Sequence, residues 1–220
     1  DSPGVELRGV LAHAGQSYDC RSIAEVATVA EAERAGAVRA ATRLREVGLP
    51  CPVVSVGSTP TAVHARSLEG VTEMRPGVYM FNDVFQASIG SCGFDDIALS
   101  VLASVTGRHP ERGEAVIDAG GLALSKDRST ATGPRDVGYG LARDLLCGDS
   151  LPELQVVRVA QEHGIVAAPG GDLPFARLAP GTRLRILPNH ACMTAAAYDR
   201  YYLVDGSDAV VGEWDRVNGW

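Results

Sequence analysis

The chain has 220 residues, 45% of them hydrophobic and 21% charged, with a formal net charge of −7. This length suits one or two domains, and the composition is globular, neither disordered nor fibrous. The acidic balance argues against nucleic-acid and anionic-membrane partners, and no apolar run reaches the roughly 18 residues that span a bilayer.

The chain opens with "DSPGVELRGVLAHAG", without an initiator Met and directly into a strand, so the expectation is an amino-terminal truncation that removed any targeting segment. Residues 5–15 form an apolar strand ending in small residues. Residues 22–48 carry the period of a long Ala-rich amphipathic helix, stopped by Gly48 and Pro50. "CPVVSVGSTPT" (51–61) reads as a buried strand running into a Gly/Ser/Thr/Pro loop. A short helical turn follows, and "TEMRPGVYMFND" (72–83) reads as a third strand. Such a βαβ rhythm belongs to a parallel sheet or barrel, whose functional loops sit at the carboxyl ends of the strands. From about Ile97 the pattern changes to short strands separated by Gly, Pro and Asp turns, which is all-β patterning. The fold class expected is therefore α/β plus all-β, with residues 1–96 and 97–220 as the two parts. Three parallel strands do not close a barrel, so the first part reads as a fragment.

The five cysteines (20, 51, 92, 147 and 192) show no CxxC spacing, which favours a reducing compartment such as the cytoplasm over a disulfide framework. Of 20 basic residues, 19 are Arg; chemistry that needs an amine has only Lys126 to draw on within these residues.

Ser58 and Thr59 in "VGSTPT" offer hydroxyls and backbone N–H groups suited to a phosphate, although a plain helix-capping turn uses the same residues. Gly77, expected inside a strand beside Tyr79, suggests close approach of a ligand, so that two strand ends converge on an anion-sized site. Tyr18 in the loop after the first strand is a candidate ligand contact beside Gln16. His13 reads better as a hydrogen-bonded core residue than as a catalyst. His190 and Cys192, two positions apart on an expected strand, would face one side and could ligate zinc, but on spacing alone core packing accounts for them as well or better. Glu162 and His163 in "QEHG" could lie near that metal or simply enter a turn at Gly164. Trp214 and Trp220 read as packing residues.

Taken in order, "HAGQSY", "VSVGSTPT", "MRPGVYMFND", "VIDAGGLALSKD", "QEHG", "LPNHAC" and the terminal "WDRVNGW" resemble the D-serine dehydratase family. That family sits with the D-threonine aldolases among the alanine-racemase-like, fold-type III pyridoxal-phosphate enzymes. The resemblance implies the last strands of a (β/α)₈ barrel followed by a β-domain, a homodimer, and pyridoxal 5′-phosphate and Zn²⁺ as cofactors. It implies that the Schiff-base lysine lies in a missing segment; Lys126 does not match that motif, so the chain alone would be inactive. It places the cofactor against Tyr18, Thr59 and the backbone of Gly77 and Val78, with Ser58 and Tyr79 as further contacts, and the metal on His190 and Cys192. Arg75 stands where alanine racemases place an Arg against the pyridine nitrogen. The implied reaction is β-elimination of a small-molecule D-amino acid, D-serine to pyruvate and ammonia, with the cofactor as electron sink and zinc polarising the β-hydroxyl. A thiolate at Cys192, rather than a carboxylate, favours the dehydratases over the aldolases, while 3-hydroxyaspartate remains open as substrate. A non-catalytic pyridoxal-phosphate-binding protein would not carry the β-domain.

Overall fold

The computed structural model describes residues 3–133, 135–144 and 154–217; Cys147 and Trp220 lie outside them. The chain divides into two compact units, residues 1–80 with 89–93, and residues 81–88 with 94–220.

The first unit is α/β. Strand β1 (Gly9–Leu11) leads through a 3-10 turn at Gly15–Asp19 into helix α1 (Ile23–Glu46). The Ser22 hydroxyl caps this helix by accepting from the Glu25 N–H, and Glu25 returns to the N–H of Arg21, so two otherwise orphaned amides are satisfied. Val26, Ala27, Ala30, Ala37 and Ala41 form its buried stripe, spaced by whole turns. Strand β2 (Val53–Val56) follows, then the short helix α2 (Thr59–His64) and strand β3 (Glu73–Met74). The three strands pair in parallel in the order β1-β2-β3. A small core of Ala37, Ala41, Cys51, Val54 and Val56 lies between sheet and helix.

The third strand is much shorter than the expected 72–83. Pro76 has no N–H to extend the ladder, and the chain instead turns into a 3-10 helix at Val78–Met80. Gly77 and Tyr79 therefore do not alternate on a strand face.

The second unit begins with helix α3 (Val84–Ser88) and continues through strands β4 (Val101–His109) and β5 (Glu114–Ile117). Then come helix α4 (Gly121–Leu124) and strands β6 (Gly140–Asp144), β7 (Leu154–Val159), β8 (Gly164–Ala167) and β9 (Arg183–Pro188). Helix α5 (Ala191–Ala195) and the hairpin of β10 (Arg200–Val204) and β11 (Val210–Asp215) complete it. Strands β4 to β9 close an antiparallel barrel in the order β4-β5-β8-β7-β6-β9. Alternate residues point inward, among them Val101, Ala103 and Val105 of β4 and Leu184 and Ile186 of β9, as period-2 patterning requires. The expected change to all-β structure is thus present as a closed barrel. The boundary expected at 96/97 falls in the stretch where the two units exchange segments.

Two local expectations fail. "LPNHACMTAAAYDR" is not strand: β9 ends at Pro188, and the alanine-rich run that follows turns into α5. Trp214 does not pack inward, being 62% exposed on β11 opposite Tyr201. No described helix is long and apolar enough to cross a membrane.

Candidate functional site

In the first unit, the loops after β1 and β2 are joined by one carboxylate. Glu33, midway along α1, accepts from the Ala14 N–H (3.0 Å), the Gly57 N–H (3.1 Å) and the Thr61 hydroxyl (3.0 Å). Gly57 sits at φ +149°, and a Cβ there would come within 2.8 Å of the Arg75 backbone, so only glycine permits this crossing.

Ser58 is buried and caps α2. Its hydroxyl meets those of Ser17 (3.0 Å) and Thr61 (2.9 Å) and accepts from the Thr61 N–H (3.3 Å). Those three partners use the full capacity of one hydroxyl. Thr59 is buried, and its hydroxyl accepts from the Tyr79 N–H (3.2 Å), so the 3-10 helix carrying Val78 and Tyr79 lies against the start of α2. Gly77 is exposed, and a Cβ built there would meet nothing within 4 Å. The Gly77 backbone therefore faces open space.

Tyr18 is half-buried, its ring 6.2 Å from that of His13. His13 is exposed, contrary to the expectation of a core histidine, because β1 ends two residues before it. Gln16 is likewise exposed. Arg75 lies across the strand ends: it donates to Ser55 Oγ (2.6 Å) and to the Ala12 carbonyl, and pairs with Glu73 (3.8 Å).

In the second unit, His190 is the N-cap residue of α5 and Cys192 lies in its first turn. The two residues therefore stand at a helix start and not on the face of a strand. His190 Nδ1 lies 2.6 Å from Asp127 Oδ2. The Cys192 hydrogen bond raises the His190 pKa most, burial opposes it, and Asp127 adds to the rise, which reaches about 9. Burial pushes the Asp127 carboxyl up, but hydrogen bonds from His190 and Ser129 and the charge of His190 outweigh it, and its pKa falls below the usual value. Cys192 is exposed.

The turn bearing His190 and Cys192 is held from several sides. Asp83, 1% exposed, accepts from the Gln86 N–H (2.8 Å) and the Ala191 N–H (2.9 Å). Burial raises its pKa against the lowering by those two amides. Asn189 donates to Thr130 Oγ1 (2.9 Å) and the Gly138 carbonyl (2.7 Å) and accepts from the Thr130 N–H (3.2 Å). Thr194 donates to the Leu124 carbonyl (3.0 Å). Sequence reasoning missed Asp83, Asp127 and Glu33, although Asp127 stood within the quoted "ALSKD".

Glu162 and His163 lie in the turn between β7 and β8, where Glu162 accepts from the Gln161 amide (3.2 Å). That turn packs on Gly120, where a Cβ would lie 2.5 Å from the Gln161 carbonyl. Lys126 is exposed and belongs to this second unit. Among the described residues, no three His, Cys, Asp or Glu side chains are grouped to hold a metal ion.

Two family models match this chain: "Putative serine dehydratase domain" over residues 98–204 and "Alanine racemase, N-terminal domain" over residues 1–84. The chain is 50% identical over 220 residues to D-threo-3-hydroxyaspartate dehydratase of Delftia sp. (strain HT23), covering 99% of this chain and 57% of the relative. It is 30% identical to D-serine dehydratase of Dictyostelium discoideum, covering 98% of this chain and 55% of the relative. The chain thus spans a little over half the length of these relatives. Among solved structures, two variants of D-threo-3-hydroxyaspartate dehydratase match at 49% identity, each over 99% of this chain. One has a Cys-to-Ala substitution and is in the metal-free form, with a TM-score of 0.91 over 57% of its own chain. The other has a His-to-Ala substitution, with a TM-score of 0.92 over 56% of its own chain.

Proposed function

Because the chain belongs to the D-serine dehydratase family of alanine-racemase-like proteins, we propose that the protein removes water from a β-hydroxy-D-amino acid, using pyridoxal 5′-phosphate and a divalent metal. D-threo-3-hydroxyaspartate is the substrate this reading favours, since similarity to the dehydratase of that name is 50% against 30% for a D-serine dehydratase. Loss of the β-hydroxyl and the α-proton leaves an enamine, which hydrolyses to ammonia and a 2-oxo acid: oxaloacetate from 3-hydroxyaspartate, pyruvate from D-serine.

The observation that carries the reading is the His190–Cys192 pair with Asp127 behind it. Imidazole and thiolate are soft donors suited to zinc, and two protein ligands leave positions for water or substrate. Asp127 on Nδ1 leaves Nε2 as the ligating nitrogen, the arrangement metal-bound histidines adopt. The substituted His and Cys of the two variant structures stand two positions apart in their own chain, as His190 and Cys192 do here. A metal so held would act as a Lewis acid on the leaving hydroxyl.

The first unit suits the cofactor. Open space at Gly77 leaves its backbone accessible to a phosphate, the buried Thr59 hydroxyl holds the Tyr79 N–H two residues on, and Tyr18 adds a half-buried ring in the loop after β1. Ser58, its hydroxyl already saturated, would contribute by shaping the start of α2. The cofactor would supply the electron sink that makes the α-proton removable. Arg75 would hold the three strand ends together through Ser55 and Ala12.

The test incubates the full protein with D-threo-3-hydroxyaspartate, D-serine and D-threonine, with and without a chelator, and follows 2-oxo acids and glycine separately. The expected result is chelator-sensitive 2-oxo acid, fastest from 3-hydroxyaspartate, and its loss in His190→Ala and Cys192→Ala. Glycine from D-threonine without any 2-oxo acid would overturn the dehydratase reading in favour of aldol cleavage.

A further inference from the structure

The geometry points to Asp127 as the positioning residue of the metal site: held by Ser125 and Ser129, it fixes His190 so that Nε2 is aimed beside Cys192. This inference rests on the metal reading above and adds to it a third residue that is not itself a ligand.

Three observations support it. Asp127 Oδ2 lies 2.6 Å from His190 Nδ1, while its other oxygen accepts from the Ser129 hydroxyl at 2.6 Å, so the carboxylate is held on both sides. Its own N–H donates to Ser125 Oγ at 3.2 Å, which closes a tight turn around Lys126. Ser125 has φ +64° and ψ 174°, a backbone region that is costly for any residue but glycine. Among the described residues only Ser125 and Asn82 combine a side chain with positive φ. Asn82 immediately precedes Asp83, and Ser125 stands two residues before Asp127. Both strained positions therefore aim a carboxylate at the 190–192 turn, Asp83 at its backbone and Asp127 at its imidazole. A carboxylate that merely neutralised a surface histidine would need neither a strained turn nor a second hydroxyl.

An imidazole with a fixed Nδ1–H presents Nε2 as a lone pair in one direction, and losing such a partner typically costs 10–100-fold in metal affinity. The experiment uses the full protein, stripped of metal and reloaded. Zinc affinity is measured by competition with a chromophoric chelator, and Co²⁺ is loaded for its ligand-field and thiolate-to-metal absorption bands. Asp127→Ala should weaken zinc binding about 10–100-fold. It should also shift the cobalt ligand-field bands while the thiolate band from Cys192 persists. Asp127→Asn, which keeps an acceptor for Nδ1–H, should restore part of the affinity. Ser129→Ala, which loosens Asp127 without removing it, should give a smaller loss and keeps the inference testable if Asp127→Ala does not fold. Wild-type affinity and cobalt spectrum in Asp127→Ala, or in Ser129→Ala where Asp127→Ala does not fold, would overturn the inference, and loss of binding in His190→Ala would then leave the metal reading itself standing. A wild-type protein that binds neither zinc nor cobalt would overturn both readings.

Discussion

The two units present their candidate ligands in the same way and support them differently. In each, a short helix start carries the candidate residues, Thr59 on α2 and His190 with Cys192 on α5, and a carboxylate from a distant segment hydrogen-bonds to it. In the first unit that carboxylate is Glu33, reaching two loops at the ends of a three-stranded sheet whose outer strands each have one neighbour. In the second, Asp83 and Asp127 brace a turn leaving a closed barrel, whose strands all have two. Glu33 is only half-buried, whereas Asp83 is 1% exposed. A site can therefore be built on similar local chemistry and still depend on its brace to different degrees, according to what solvent can repair.

The sharpest way to break this comparison is Asp83→Ala. It leaves the Gln86 and Ala191 amides buried without an acceptor, each worth about 1–3 kcal/mol, so a loss of roughly 2–5 kcal/mol in unfolding free energy is expected by denaturant titration. Zinc affinity should fall with it, since Ala191 lies between the two proposed ligands. A variant of wild-type stability would mean that the turn is held elsewhere, by Asn189 or Thr194.

The second effect is one of pH. His190 is pushed up from 6.5 to about 9 in the metal-free protein, so below that pH a metal must displace its proton. Zinc affinity should fall about tenfold for each pH unit below roughly 9 from this group alone, as a chelator competition series would show. The sign reverses for the metal-free fold: a raised histidine pKa contributes stability that is full below pH 6.5 and fades as pH rises through 9. A zinc affinity flat between pH 6 and 8 would mean His190 is not the ligand.

The smallest effect is expected for Glu33→Ala. Glu33 itself is half-buried, so solvent can enter where its carboxylate stood; about 1–2 kcal/mol is expected, less than for Asp83→Ala. The cofactor should bind more weakly in this variant, read from its absorption on titration. A loss equal to that of Asp83→Ala would remove the distinction between the two braces.

Legibility in the sequence followed the range of the interactions. Helix α1 was readable because its apolar period and its stop at Gly48 and Pro50 act within one or two turns. β4 and β9 were readable as short strands between turn residues for the same reason. His190 and Cys192 were recognisable as donor types, but the strand assigned to them was wrong, since β-patterning on either side concealed a break at Pro188 and an alanine run. The third strand was over-extended because a single proline outweighed the apolar residues after it. Asp127 and Asp83 were not singled out, because the partners that tie them to the 190–192 turn lie 63 and 108 positions away.

The amino-acid sequence by itself determined the succession of an α/β part and a β-part, the local caps and stops, and which side chains have donor chemistry. Those properties depend on residues a few positions apart, where backbone geometry is decided by sterics and capping. Only the tertiary structure decided which carboxylate faces which ligand, because barrel closure and the packing of α1 on its sheet bring together groups that the chain keeps far apart. Closure also decided what water can reach, and so how much each of those hydrogen bonds matters.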